Sequence, residues 1–224
     1  MASEIKETQT IPPSEAVLAV IASFLLLLFL GAIFVMLVGV GFAMVLGELL
    51  IAVVPFGYML SKKINVRKYI GFEMSLKSII IGIAIGALLL LFDIFVSNVL
   101  IAIFGQSETV EESNKLIIEM SSSLDGLILI VTSLALAGVC EEFTFRGFLQ
   151  NAISSKYSSG IALLASSLAF GFSHFDPQAV YMISAFLLGL VLGYVYYRWH
   201  SYTISATAHA TLNLIVLALT ILLP

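Results

Sequence analysis

From Ser14 to Leu60 the chain is apolar apart from Glu15 and Glu48. About 20 residues of helix cross the hydrocarbon of a bilayer, so this stretch is too long for one span. It predicts two membrane helices joined by a very tight turn. Gly39 and Gly41 are the expected break, because glycine adopts the turn conformations that other residues resist. Composition extends this to the whole chain. Of 224 residues, 60% are hydrophobic and 11% charged, against roughly 25% charged in soluble domains. Almost no polar sequence is left to build a soluble domain, so the chain reads as a polytopic membrane protein. The net charge of −4 includes no basic patch, which excludes nucleic acid as a partner. The single cysteine, Cys140, excludes an intrachain disulfide and an all-cysteine metal site.

The segments divide as follows. Residues 1–13 read as a polar tail without the layout of a cleaved signal peptide. Residues 14–123 hold three N-terminal spans and their loops, the third from about Leu76 to Phe104. The stretch QSETVEESNK reads as an acidic loop, followed by a short amphipathic turn. Residues 124–224 hold four more helices: one from about Leu124, one after NAISSKYSSG that runs to about Phe175 and is ended by Asp176-Pro177, one from about Ala179 to Trp199 and one from about Tyr202 to Leu223. The expected fold is an all-α transmembrane bundle of about seven spans. Lys6, Lys62, Lys63, Arg67, Lys68, Lys77, Lys156 and Arg198 then fall on one side of the membrane, and Lys115 on the other. Basic residues mark the inner side, which predicts the N-terminus inside and the C-terminus outside.

The ionisable residues within spans are Glu48, Asp93, Glu141, Glu142, Arg146, His174 and His209. A charge at the bilayer centre costs at least ~2.5–3.5 kcal/mol, so such residues mark a functional site or a buried ion-pair cluster. In CEEFTFRG, Glu142 and Arg146 are four apart and can pair on one helix face. Glu141 points about 100° away and lacks an in-helix partner, which makes it a candidate general base. His209 and Asn213 are also four apart, suited to orienting a water or donating to an oxyanion, or to ordinary interhelical hydrogen bonding. Depth adds one expectation. At 1.5 Å per residue, Glu141 lies ~14 Å from Gln150 and His209 ~12 Å from Ser201, but His174 lies ~24 Å from Ser158. The three meet only if the fifth span starts above the inner surface and turns back in mid-membrane. The HFDPQ turn would then be buried in protein or line a wet cavity. Glu48 and Asp93 have no partner within four residues and are left outside the site.

EEFTFR fits EExxxR, FGFSH fits FxxxH, HATLN fits HxxxN, and FLLGLVLG, with Phe186, Gly189 and Gly193, fits FxxGxxxG. In this order the motifs resemble the CAAX protease and bacteriocin-processing (CPBP, or Abi) family of intramembrane endopeptidases, over about residues 124–223. The resemblance implies a four-helix catalytic core and a cavity open to the cytosolic side and to lipid. It implies that Glu141 and His174 activate the attacking water, that His209 and Asn213 stabilise the oxyanion, and that Glu142 and Arg146 hold geometry and charge. Gly189 and Gly193 read as helix-packing residues. The implied substrate is a membrane-associated or lipidated peptide, CAAX-type prenylated proteins included, in contact with membrane lipids. No cofactor is expected. The alternative is zinc held by Glu141, His174 and His209, although no HExxH is present to organise it. Cys140 reads as a small buried hydrophobe rather than a nucleophile. The competing function is a non-enzymatic immunity or scaffold protein that binds through the same cavity. A proton-relay transporter is disfavoured by the absence of evident inverted repeats. Oligomeric state is open.

Overall fold

The computed structural model describes residues 10–223. They form an all-helical bundle. Helix α1 is Pro13–Val38, α2 Val40–Ser61, α3 Val66–Tyr69, α4 Leu76–Phe104 and α5 Glu108–Ser121. Then come α6, Leu124–Glu141, a π-helical segment, Glu142–Gln150, and α7, Asn151–Ser154, as one continuous rod. Helices α8, Ser159–Ser173, α9, Val180–Trp199, and α10, Tyr202–Leu222, complete the chain. Six of these rods are long and apolar enough to span a membrane, and α8 is a shorter apolar helix. Their outward faces carry bare apolar side chains such as Leu28, Phe29, Met36, Leu88 and Phe95. A surface of that kind belongs in lipid. The protein is a multi-pass integral membrane protein.

The α1–α2 break falls on Gly39, whose φ of 80° lies in the left-handed region that glycine tolerates. Of the polar tail expected at residues 1–13, residues 1–9, with Lys6, lie outside the described residues. Ile11 is fully buried in the main apolar cluster with Phe145, Phe148 and Tyr196.

Two loops carry more structure than expected. The acidic stretch after α4 is a fourteen-residue helix, α5. Ser107 caps its start by accepting from the Val110 N–H. It is amphipathic, with Val110 and Ile117 turned into the bundle and Glu108, Glu111, Glu112 and Glu119 along its length. It is tied to the α8–α9 turn. Asp176 accepts from the backbone N–H groups of Gln178 and Tyr181 and from Thr109 Oγ1, and the Gln178 side chain accepts from the Glu108 N–H. Burial raises the Asp176 pKa, but the Tyr181 and Gln178 N–H bonds with those of Ser107 and Thr109 outweigh it, leaving the carboxyl below its usual value. The stabilisation is therefore complete above the ordinary Asp range and fades as pH falls through the lowered value. Asp176→Ala is expected to free α5 while the spans hold. Hydrogen exchange should quicken across residues 107–121 and stay unchanged in α10.

The helix α8 corrects the depth expectation. Ser166 Oγ donates to Gln150 Oε1 at 3.1 Å. Ser166, not Ser158, is thus level with Gln150. From Ser166 to His174 is ~12 Å of helix, close to the rise from Gln150 to Glu141. The fifth helix does not start high; its first two turns run beyond the level of Gln150. The turn that follows is mixed, with Asp176 buried and Phe175 73% exposed.

Candidate active site

The π-helical segment carries the charge cluster, and all nine of its residues are buried. Thr144 Oγ1 donates to the Ile51 carbonyl of α2. On α9, the Gly189 carbonyl accepts from Arg146 Nη2 at 3.1 Å and the Gly193 carbonyl accepts from Gln150 Nε2 at 3.0 Å. A Cβ on Gly189 would meet the Phe170 ring at 3.1 Å, and one on Gly193 would meet Gln150 Oε1 at 2.8 Å. The two glycines therefore bring the α9 backbone within reach of side chains on the π-helical segment.

Arg146 Nη1 donates to Glu142 Oε1 at 2.7 Å, with both side chains fully buried. The pair forms as the four-residue spacing predicts. The guanidinium also lies over the Phe170 ring, 4.3 Å from its centroid. His209 completes the cluster from α10. Its Nδ1 is 3.1 Å from Glu142 Oε1, and a carboxylate can only accept, so Nδ1 carries the proton. Its Nε2 faces Glu141 Oε2 at 3.7 Å. The imidazole of His209 thus lies between the two carboxylates, and Glu142 is the one that also pairs with the guanidinium. Glu142 sets the tautomer and tilt of His209, as a carboxylate does for a catalytic histidine.

A cavity of about 300 Å³ lies on the other side of His209. His174, His209, Asn213 and Phe170 line it together. Ring contacts of 4.6 Å and 5.7 Å place Phe170 between the two histidines. His174 Nδ1 is 2.9 Å from the Phe170 carbonyl, which can only accept, so Nε2 is left as the free basic nitrogen. Asn213 Nδ2 donates to the Leu134 carbonyl at 3.2 Å. Among the described residues no ion pair joins Glu141 to His174; Glu141 meets His209 instead. Cys140 is buried and free. No three His, Cys, Asp or Glu side chains among the described residues converge as metal ligands.

Residues 123–215 match the family described as type II CAAX prenyl endopeptidase, Rce1-like. This segment is similar to that family. No curated protein and no solved structure matches the chain. The matched segment runs from the start of α6 into α10 and holds Glu141, Glu142, Arg146, His174, His209 and Asn213. Helices α1 to α5 lie outside it, yet α4 and α5 supply Asp93, Ser97, Ser113 and Asn114 to the cavity wall.

Several of these residues were not in the site read from sequence. Asp93 bonds the Ser184 side chain and lines the cavity, and Glu48 of α2 lies within electrostatic range of Glu141. Neither sits in a motif. Phe170 did carry a signal, as the first residue of FGFSH.

One close approach governs the Glu141–His209 distance. A Cβ on Gly138 would lie 2.5 Å from the Ala210 backbone nitrogen, one residue from His209. Alanine gains up to ~1 kcal/mol of helix propensity, but a clash with backbone has no flexible side chain to absorb it. Gly138→Ala is expected to lower stability by about 1–3 kcal/mol as α6 and α10 separate. Thermal unfolding in detergent should show it, and any activity should fall further than stability.

Proposed function

We propose that the protein is an intramembrane endopeptidase that hydrolyses a peptide bond of a membrane-associated or lipidated substrate. The observation that carries this reading is the single cavity shared by a basic His174 Nε2, a tautomer-fixed His209 and Asn213, with Glu141 beside His209. The family of residues 123–215 supports it.

Glu141 and His174 activate a water for attack on the scissile carbonyl. His209 and Asn213 stabilise the developing oxyanion. Glu142 and Arg146 act through His209, holding its ring and balancing the cluster charge. The closed, largely apolar wall made by Leu188, Leu192 and Leu212 withdraws the bond from bulk water and strengthens these interactions. The same wall suits an apolar or prenylated substrate chain. No metal takes part in this reading. The basic residues of the 62–77 loop support an orientation with the N-terminus inside.

The test is cleavage of a quenched peptide library, prenylated and unprenylated, by purified protein in detergent. Wild type is compared with Glu141→Gln, with and without chelator. Cleavage that is lost in the variant and indifferent to chelator is the expected result. Loss with chelator, restored by zinc, would move Glu141, His174 and His209 to metal ligation. Equal cleavage by the variant would remove Glu141 from the mechanism. No cleavage by wild type would favour a binding role for the cavity.

A further inference from the structure

A second cavity, of about 660 Å³, opens where α4 begins and α9 gives way to α10. Among the described residues it shares none with the cavity of His174 and His209. Its shape is held by backbone contacts. Gly71 has a φ of 65°, and a Cβ there would collide with the His200 carbonyl. The Tyr202 N–H donates to the Gly71 carbonyl at 3.3 Å, and Thr203 Oγ1 donates to the Glu73 carbonyl at 2.8 Å. The loop before α4 is thus fixed against the first turn of α10.

The cavity carries an excess of positive charge. Arg67, Lys68 and Lys77 line it, and among the described residues none of them has an ion-pair partner. Glu73 is the acid of the wall, one carboxylate against three cations. Arg67 Nε donates to the Phe72 carbonyl at 3.3 Å, and the guanidinium lies 5.8 Å from the Phe72 ring centroid. That anchors the group and leaves both Nη nitrogens to donate to an anion. Helices α4 and α10 start at the cavity, capped by Ser75 and Ser201, and neither has an acid in its first turn. Lys77 stands in that turn of α4, where the helix dipole is already positive and an anion is favoured over a cation.

The surroundings indicate where such an anion comes from. Ile81 and Ile204, both within spanning helices, give the wall an apolar side. Trp199 adds an aromatic of the kind that marks a membrane boundary. Beside the cavity, Leu76 and Ile80 are 74% and 57% exposed, a bare apolar face for acyl chains. A free phosphate would use the cations alone, whereas a phospholipid uses both sides. We propose that this cavity binds the phosphate headgroup of an anionic phospholipid, with the phosphate on Arg67, Lys68 and Lys77 and the acyl chains along α4. The site is independent of the peptidase reading. Because the bound headgroup neutralises cations on the loop and on α4 together, occupancy stabilises the folded chain.

The test uses the purified full chain in an uncharged maltoside detergent. Phosphatidylglycerol, phosphatidylcholine and inorganic phosphate are added separately. Thermal unfolding and the lipid retained in native mass spectrometry are read. Phosphatidylglycerol is expected to raise the melting temperature and to stay bound. Phosphatidylcholine, whose choline cancels the charge, and inorganic phosphate should do much less. A Lys or Arg at an anionic lipid surface is worth about five-fold in affinity, so Arg67→Gln with Lys77→Gln should weaken phosphatidylglycerol binding about 25-fold. Lys62→Gln with Lys156→Gln removes as much charge outside the cavity and should bind as wild type does. Equal weakening in both pairs would mean that diffuse charge holds the lipid, and overturns the site. An equal response to inorganic phosphate overturns the lipid as occupant, an equal response to phosphatidylcholine overturns the preference for an anionic headgroup, and no response to phosphatidylglycerol overturns the proposal as a whole.

Discussion

Replacing Arg146 with methionine is expected to lower stability by about 3–5 kcal/mol, the cost of leaving one member of a buried ion pair without its partner. Glu142 has no access to water, and its Oε1 would keep only the His209 Nδ1 proton. The Gly189 carbonyl would also lose its donor, and the Phe170 ring its cation. Thermal unfolding and the monodisperse yield in detergent measure the loss. The double change Glu142→Gln, Arg146→Met removes both charges while keeping an acceptor for His209. It should recover most of the stability, because swapping a whole buried pair for neutral groups is often close to neutral. If the single variant is as stable as wild type, the pair does not hold the bundle. If the double variant is no better than the single, the loss comes from packing around Phe170 and not from the stranded charge.

The second large effect concerns chemistry. Glu141→Gln and His174→Asn should each lower kcat/KM by about 10²–10⁴, the usual contribution of a positioned acid–base group. Folding should be spared. The nearest ionic partner of Glu141 is His209 at 3.7 Å, beyond a good hydrogen bond, and an asparagine amide at position 174 can still donate to the Phe170 carbonyl. Because the two groups act on one water, the double variant should be hardly worse than either single one. Effects that multiply would mean that the residues serve separate steps. The distinction matters here, since the two side chains share no ion pair and the proposal joins them only through the substrate water.

Much of the architecture was legible before any coordinates. Long apolar runs have few solutions in lipid, so the spans from Leu76, Leu124 and Tyr202 start where the sequence places them. Gly39 marks the turn between the first two spans, where a positive φ favours glycine. The Glu142–Arg146 pair follows from helical spacing, and so does the face shared by His209 and Asn213. The match over residues 123–215 agrees with four motifs in order. Other features depended on contacts between distant segments. The π-helical segment is held by the Ile51, Gly189 and Gly193 carbonyls, which lie far away in the chain. The acidic stretch QSETVEESNK reads as loop by composition, but it lies largely in α5, which the α8–α9 turn docks through Asp176 and Gln178 so that it lines the rim of the cavity.

What the sequence by itself determined is the environment and the inventory: a helical bundle in lipid, its basic end, and a small set of ionisable groups too costly to bury without purpose. Local rules suffice for that, because hydrophobic length and the spacing of side chains along a helix act within one segment. Only the tertiary structure decided which groups meet. Ser166 against Gln150 brought His174 to the depth of Glu141, and Gly138 against Ala210 brought His209 to the carboxylates. It also gathered residues of α4, α5, α8, α9 and α10 around one cavity. The register of one helix against another is fixed by a few close contacts between residues far apart in sequence, and no pattern within either helix encodes it.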